Sequence, residues 1–216
     1  MTFGFDVETI PNPEAIDKLP PPKAKTARLV DPTKIAKAID DAREKQIEEA
    51  GLDPVSARVL AAGMVVDGAK QCKVLSDMTD DAEVEILEWI LANLAKEDSR
   101  VVTFNGKGFD LPFVYKRAMI LGVKHKAPPL PVFMKRYDTT RHVDMMQVWA
   151  DNNSHEYISL EMFAKMVLGL EKGEMDFKEF PELMKTEAGR DKITEYCLQD
   201  ASLAFLGFKA ACGYLL

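Results

Sequence analysis

The chain has 216 residues and a formal net charge of −7, with 47% hydrophobic and 29% charged residues. These are ordinary values for a globular domain, and they exclude a disordered chain, a collagen and a coiled-coil repeat. The longest apolar run, at 59–66, is far shorter than the roughly 20 residues of a membrane-spanning helix. The acidic start lacks the features of a secretory signal, and three cysteines without a CxxC pair predict neither a disulfide framework nor a zinc ribbon. We therefore expect a soluble protein of the reducing cytoplasm.

The first predicted strand carries two acids. Residues 2–9 alternate apolar and polar side chains, so Asp6 and Glu8 share one face of this strand. Further on, an N-cap aspartate followed by proline predicts a helix over 31–51, and its apolar stripe is narrow. We interpret residues 12–53 as a surface insertion after the first strand.

The rest of the chain predicts alternating strands and helices. The dipeptide Asp67-Gly68 suits a tight turn and predicts a hairpin of 57–66 with 71–75. A helix capped by Asp80 and Glu83 follows the hairpin. The later predicted elements are a strand at 100–104, a helix at 110–122, a strand at 142–144 and helices at 160–168 and 191–211. This order predicts an α/β fold with a mixed sheet.

Several acids stand where chemistry is possible, but each has a plain structural explanation. Two carboxylates on one face of a central strand repel each other unless a cation lies between them, and all-oxygen sites suit Mg²⁺ or Mn²⁺. Tyr196 and Asp200 lie one turn apart on one helix face, which also describes a surface pair. Asp110 stands where a helix cap is expected. Asp144, at the end of a short strand, is interpreted as a surface acid, with a supporting position beside the other acids as the alternative.

Positive charge is concentrated in two loops of this acidic chain. Residues 122–142 carry five basic side chains and one acid, a net charge of +4. A second basic run, Lys23, Lys25 and Arg28, follows three prolines. Solvated loop charge explains each run alone, whereas runs beside an anion site become candidates for contacts with a phosphate backbone.

Three motifs stand in order along the chain: FDVET at 5–9, FNGKGFD at 104–110 and YCLQD at 196–200. Together they resemble the motifs of the DEDD superfamily of 3′–5′ exonucleases, and within it the exonuclease related to the proofreading domain of family B DNA polymerases. RHVD at 141–144 is similar to a stretch between the second and third motifs of that family. The resemblance covers the chain apart from the insertion. Glu195 stands where the histidine branch has its histidine, and Tyr196 is present, so the chain resembles the tyrosine branch, DEDDy.

The resemblance implies a ribonuclease H-like α/β fold, with a mixed sheet flanked by helices and a helical insertion after the first strand. It implies one exonuclease domain over 1–216 that contains the insertion at 12–53. The implied activity is metal-dependent hydrolysis of phosphodiester bonds from the 3′ end of DNA, with single-stranded ends favoured and nucleoside 5′-monophosphates released. Since no polymerase module accompanies the motifs, we expect a stand-alone nuclease.

The resemblance also implies a role for each site residue. Two Mg²⁺ or Mn²⁺ ions would be held by Asp6, Glu8, Asp110 and Asp200. Asp6, Glu8 and Asp200 would ligate the ion that activates water. Asp6 would bridge to the second ion, which Asp110 would help to hold. Tyr196 would orient the attacking water, because an unperturbed tyrosine pKa of about 10 makes it a poor base at neutral pH. The candidates for contact with the terminal nucleotide are Thr9, Asn105 and Phe109.

Three alternatives stay open at this point. The motifs describe phosphodiester chemistry and not the sugar, so the substrate of the same enzyme could be RNA. A nuclease-like fold without activity could bind nucleic acid or serve as a scaffold. A globular protein with unrelated acids would show no metal dependence at all.

Overall fold

The computed structural model describes residues 1–27 and 30–216, so Arg28 of the second basic run lies outside the described residues. The strands are β1 (Thr2–Pro11), β2 (Ala57–Val66), β3 (Ala69–Val74), β4 (Arg100–Thr103) and β5 (His142–Asp144). The α-helices are α1 (Pro13–Ile16), α2 (Pro32–Glu49), α3 (Asp80–Leu94), α4 (Asp110–Ile120), α5 (Met145–Trp149), α6 (Leu160–Phe163), α7 (Phe180–Leu183) and α8 (Glu187–Ala211). Shorter turns are Ala50–Leu52, Leu130–Val132, Ser154–Glu156 and Phe177–Glu179, which are 3₁₀, and the π-helical Ala164–Leu168. In the described ranges, no helix combines the length and the apolar character that crossing a membrane requires.

The strands form one mixed sheet in the order β3-β2-β1-β4-β5. Strand β1 pairs in parallel with β4, and β4 in parallel with β5, so that Thr103 lies opposite Asp144. Strands β2 and β3 are antiparallel, and both residues of the Asp67-Gly68 turn have positive φ. The mixed sheet with its flanking helices confirms the predicted α/β fold.

Helix α8 packs directly on the face of β1 that carries Asp6 and Glu8. A Cβ on Gly4 would lie 2.2 Å from the carbonyl oxygen of Ala201, so the close approach of helix and strand requires glycine at this position. The opposite face of β1 is apolar and buried in the core, through Phe3, Phe5 and Val7. The sequence alternation of β1 therefore places its two acids beneath a helix that carries another acid.

Three helix boundaries differ from the prediction. Helix α3 is capped by Thr79, whose hydroxyl accepts a hydrogen bond from the Ala82 N–H at 3.3 Å. The predicted cap by Asp80 and Glu83 is wrong, because Glu83 is buried and its carboxylate binds Arg117. Helix α8 begins a turn earlier than predicted, at Glu187, and the predicted helix at 160–168 consists of α6 and a π-helical turn.

The chain divides into two compact units, Met1–Glu8 with Val59–Leu216, and Thr9–Arg58. In the second unit, the predicted helix is present as α2. Its N-cap aspartate, Asp31, accepts a hydrogen bond from the Thr33 N–H at 2.9 Å. All 18 residues of α2 are described, and none of them is buried.

Candidate active site

The acids of the three motifs meet at the face of β1 in the first unit. The backbone N–H of Val7, between Asp6 and Glu8, donates to Oδ1 of Asp110 at 3.1 Å. Asp110 is the first residue of α4, and its carboxylate is bound to β1, so the interpretation as a helix cap is wrong. Asp200 comes from α8, and its charge raises the pKa of both Asp6 and Glu8. The fold thus brings the four predicted metal ligands together.

A buried carboxylate supports the turn that leads to Asp110. Asp144 is 1% exposed. Its Oδ1 accepts from the N–H of Asn105 at 2.9 Å and of Met146 at 3.2 Å, and its Oδ2 accepts from the N–H of Lys107 at 2.9 Å. The interpretation of Asp144 as a surface acid is wrong, because the turn leaves backbone N–H groups that need a buried acceptor.

A second set of hydrogen bonds fixes the same turn. Nδ1 of His142 lies 3.0 Å from the carbonyl oxygen of Phe133, and since a carbonyl only accepts, Nδ1 carries the proton. The Thr103 hydroxyl therefore donates to Nε2 of His142 at 2.8 Å, while its oxygen accepts from the Gly106 N–H at 3.1 Å. Burial lowers the pKa of His142 to about 3, so the imidazole stays neutral and structural.

The three predicted nucleotide-contact residues have different environments. Asn105 is exposed and adopts a φ of 68°, a left-handed conformation that asparagine tolerates. The half-buried ring of Phe109 packs 5.4 Å, centroid to centroid, from that of Phe113. Thr9 belongs to the second unit, where its buried hydroxyl donates to the Gly51 carbonyl at 2.6 Å.

Burial raises the pKa values of all four carboxyl groups, and repulsion between carboxylates adds to this rise for Asp6, Glu8 and Asp110. For Asp6, burial comes first and Glu8 second, and the pKa lies well above its usual range. Burial, then the charge of Asp200, raises the pKa of Glu8 to about 8. Burial raises the pKa of Asp110 to about 7, although backbone N–H groups hold it lower than burial alone would. Burial also raises the pKa of Asp200, against the opposing effect of Lys172. The cluster therefore retains protons at neutral pH unless cations replace them.

The acid cluster contains a buried carboxylate oxygen that no described residue hydrogen-bonds. Oδ2 of Asp6 is buried and has no hydrogen-bond partner among the residues that the structure describes. The ligand atoms of Asp6, Glu8 and Cys197 lie within 4.8 Å of one another. Burial keeps the thiol of Cys197 protonated by raising its pKa, and Sγ donates to the Asp6 carbonyl at 3.5 Å. The remaining donors are carboxylate oxygens, which suit Mg²⁺ or Mn²⁺, so the residues present fit the implied ions.

Lys172 also belongs to this cluster, and sequence reasoning missed it. Its Nζ donates to the Tyr196 hydroxyl at 2.8 Å and lies 4.1 Å from the centroid of the ring. It also lies 2.9 Å from Oδ1 of Asp200, with which it forms an ion pair. Burial lowers the pKa of Lys172, but Tyr196 and Asp200 outweigh burial and raise it. A lysine in a segment without periodicity gives little sequence signal, apart from the glycines that flank it.

The basic loop at 122–142 is partly committed to structure. The guanidinium of Arg141 donates to the carbonyl oxygen of Leu94, the last residue of α3, at 2.8 Å, and to that of Lys96, just beyond it, at 3.2 Å. Arg136 donates to the Asn152 carbonyl at 2.8 Å. Arg141 therefore stabilises the C-terminal end of a helix, as cations commonly do.

The central strand, the helix on its face and the convergent acids define a ribonuclease H-like α/β domain of the exonuclease kind. Residues 52–212 match the family described as "Predicted 3′-5′ exonuclease related to the exonuclease domain of PolB", and the chain belongs to this family. The matched segment contains Asp110, Tyr196 and Asp200, while Asp6 and Glu8 precede it. The predicted membership of the exonuclease family related to the proofreading domain of family B DNA polymerases is thereby confirmed.

The chain is also similar to DNA polymerases. It is 35% identical to DNA polymerase 1 of Aeropyrum pernix over 114 residues, which is 48% of this chain and 11% of that protein. It is 29% identical to DNA polymerase 1 of Sulfolobus acidocaldarius over 158 residues, 64% of this chain and 17% of the other. The family B DNA polymerase structure from Pyrobaculum calidifontis has a TM-score of 0.58 and 16% identity, covering 96% of this chain and 24% of that one. The chain thus spans a small part of these polymerases, and the structural match supports the shared fold.

Proposed function

We propose that the chain is a metal-dependent 3′–5′ exonuclease that removes nucleoside 5′-monophosphates from single-stranded 3′ ends of DNA. The observation that carries the proposal is the convergence of four carboxylates around Oδ2 of Asp6, which is buried and has no hydrogen-bond partner among the described residues. In this proposal residues 1–216 form one exonuclease domain, with 12–53 as its insertion.

Asp6, Glu8, Asp110 and Asp200 would hold two divalent ions, Mg²⁺ or Mn²⁺. When bound, such ions lower the pKa of a water molecule and stabilise the attacking and leaving oxygens of a phosphoryl displacement. The protein positions the carboxylates for this task in advance. Asp110 is bound to the backbone of β1, and the turn before it is fixed by Asp144 and by the His142–Thr103 pair.

Tyr196 would orient the attacking water and keep its own proton. Burial raises the pKa of its hydroxyl, so it is not a base at neutral pH. Its oxygen already accepts a hydrogen bond from Lys172, which leaves the O–H free to donate to an oxygen of the water or of the phosphate. Lys172 would thus fix the direction in which Tyr196 donates.

In this proposal Asn105 and Phe109 contact the terminal nucleotide, whereas the buried Thr9 hydroxyl is already bound to the Gly51 carbonyl. Asn105 is exposed, and the half-exposed ring of Phe109 offers a surface on which a base can stack. Lys124 and Lys126 of the basic loop are exposed and available for backbone phosphates. Binding through such contacts weakens as salt rises.

The test is hydrolysis of matched single-stranded DNA and RNA oligonucleotides, labelled at either end, with Mg²⁺, Mn²⁺ or EDTA. We expect immediate mononucleotide release from the 3′ label, a descending ladder from the 5′ label, and neither in EDTA or with Asp6→Ala. Gln71→Ala, an exposed glutamine on β3, is the control variant and should match the wild type. Faster hydrolysis of RNA than of DNA would show that the chain is an exoribonuclease. Binding of either oligonucleotide without hydrolysis in any metal would contradict the proposed activity and favour a binding module.

A further inference from the structure

Lys172 reaches the acid cluster from a segment that has no regular structure of its own. Residues 169–176 lie between the helical turns Ala164–Leu168 and Phe177–Glu179, and they contain neither helix nor strand. A lysine side chain loses considerable rotamer entropy when it is held in one position, and a mobile backbone would add to that cost. Something must therefore fix the backbone of this segment for Lys172 to meet Tyr196 and Asp200 reproducibly.

The side chain of Gln199 holds this backbone on both sides of Lys172. Its Oε1 accepts from the N–H of Gly173 at 2.9 Å, and its Nε2 donates to the carbonyl of Glu171 at 3.2 Å. One amide group thus uses its acceptor and its donor on the two residues that flank the lysine. This two-point contact fixes both the position and the orientation of the peptide units on either side of Lys172.

The identity of the next residue fits this contact. A Cβ on Gly173 would lie 2.9 Å from Oε1 of Gln199, closer than real Cβ contacts come, so glycine permits the approach. Gln199 also lies on the same helix as the two groups that Lys172 meets, directly before Asp200 and three residues after Tyr196. Gln199 and the two residues that Lys172 contacts, Tyr196 and Asp200, therefore move together as parts of α8.

We infer that Gln199 is a positioning residue for the exonuclease reaction, which acts by holding Lys172 against Tyr196 and Asp200. This inference rests on the proposed function. Gln199 itself contacts backbone in the structure and need not touch substrate. Gln199 affects the rate of hydrolysis only by positioning Lys172. Replacing Gln199 should therefore have no effect in a protein that lacks the Lys172 ammonium group.

The kinetic test is a double-mutant cycle measured by single-stranded DNA hydrolysis. We expect Lys172→Met to lower kcat about 100-fold and Gln199→Ala about tenfold, with KM changed less than about twofold, magnitudes typical of lost positioning. The double variant should be no slower than Lys172→Met, because residues that act through one another are not additive. Gln199→Glu keeps the acceptor for Gly173 and loses the donor for Glu171, and should fall between wild type and Gln199→Ala. Gln71→Ala is again the matched control.

Two kinetic outcomes would overturn the inference. The first is a further tenfold loss when Gln199→Ala is added to Lys172→Met, which would mean an effect independent of the lysine. The second is Gln199→Ala with wild-type kcat. Thermal unfolding of each variant checks that the fold is retained, so that a loss of kcat with an unchanged melting temperature is a positioning effect.

A measurement that needs no nuclease activity tests the contact itself. Amide hydrogen exchange by NMR on the metal-free protein should show Gly173 protected in the wild type and unprotected in Gln199→Ala. Gly68, in the exposed turn of the hairpin, serves as an unprotected reference in both proteins. Equal exchange of Gly173 in both proteins would overturn the inference whatever the kinetics show. If Gly173 loses protection but the wild type hydrolyses no substrate, the proposed function fails while the Gln199 contact stands.

Discussion

In the first unit, the single buried acid Glu83 and the acid cluster on β1 differ in how their charge is compensated. Glu83 of α3 is fully buried, and Arg117 of α4 grips both of its oxygens, with Nε 2.7 Å from Oε1 and a terminal nitrogen 2.6 Å from Oε2. The N–H of Val59 donates to the same carboxylate at 3.0 Å. The protein itself therefore supplies the partners of the Glu83 carboxylate. The ion pair with Arg117 connects α3 to α4.

The acid cluster on β1 has a different balance. Four carboxyl groups converge there, Lys172 contacts Asp200, and Oδ2 of Asp6 has no partner among the described residues. Isolated buried charge costs far more free energy than a paired one, so such a cluster persists where something outside the protein completes it. Glu83 shows that burial of an acid is not by itself a sign of a functional site. Asp6 shows that a buried acid with too few partners is such a sign.

The largest expected effect is on catalysis by the incomplete cluster. Asp6→Asn removes an oxygen that we propose as a metal ligand, and we expect the rate of hydrolysis to fall by about 1000-fold or more, as for other lost electrostatic elements. Because the substitution also removes repulsion, the metal-free protein should be at least as stable as the wild type. The rate of mononucleotide release and urea unfolding in EDTA measure the two effects. Asp40→Asn, an exposed acid on α2, is the control. An active Asp6→Asn protein would refute the assignment of the site.

The compensated acid should respond in the opposite way. Arg117→Met leaves Glu83 without its guanidinium, and we expect the free energy of unfolding to fall by about 3–5 kcal/mol, as when one member of a buried ion pair is removed. Adding Glu83→Gln should restore part of this loss. Urea unfolding measures both values. A loss below about 1 kcal/mol would show that Glu83 is compensated by other groups, and would weaken the contrast with Asp6.

These two groups also show what the sequence can predict. The alternation of β1 correctly places Asp6 and Glu8 on one face of the strand, because alternation is a local signal. The local pattern predicts that Glu83 caps a helix, but its partner Arg117 lies 34 residues away in the chain, where no local pattern indicates it. The sequence favours an exposed Asp144, because nothing near it shows that a turn 39 residues away needs a buried acceptor. Lys172 was missed for the same reason, because its segment has no periodicity.

The cluster should also make the stability of the metal-free protein depend on pH. Glu8 and Asp110 have pKa values of about 8 and about 7 in the folded chain, against roughly 4 when unfolded. The folded state therefore binds more protons between these values, so the stability they contribute is complete below about pH 4 and is lost as pH rises through 7 to 8. Each group contributes about 1.4 kcal/mol for every pH unit between 5.5 and its folded pKa, so we expect a total fall of about 5 kcal/mol between pH 5.5 and 8.5 in EDTA.

Thermal or urea unfolding across this range checks the prediction, with Glu8→Gln and Asp110→Asn as variants in which the slope should be smaller. Saturating Mn²⁺ should remove the fall, because ions bind the ionised carboxylates and stabilise the folded state by mass action. Metal-free stability that rises from pH 5.5 to 8.5 would contradict the raised pKa values.

The smallest expected effect concerns the neutral member of the site. Tyr196→Phe removes the hydroxyl that accepts from Lys172 and that we propose orients the attacking water. We expect kcat to fall about tenfold, or about 1.4 kcal/mol. Mn²⁺ affinity should change little, because the four carboxylates remain. Since burial raises the tyrosine pKa, the wild-type rate should show no tyrosine ionisation between pH 7 and 9. A loss as large as that of Asp6→Asn would instead make Tyr196 a participant in proton transfer. A tenfold loss would instead place Tyr196 with Lys172 among the residues that position the reactants beside the proposed metal ions.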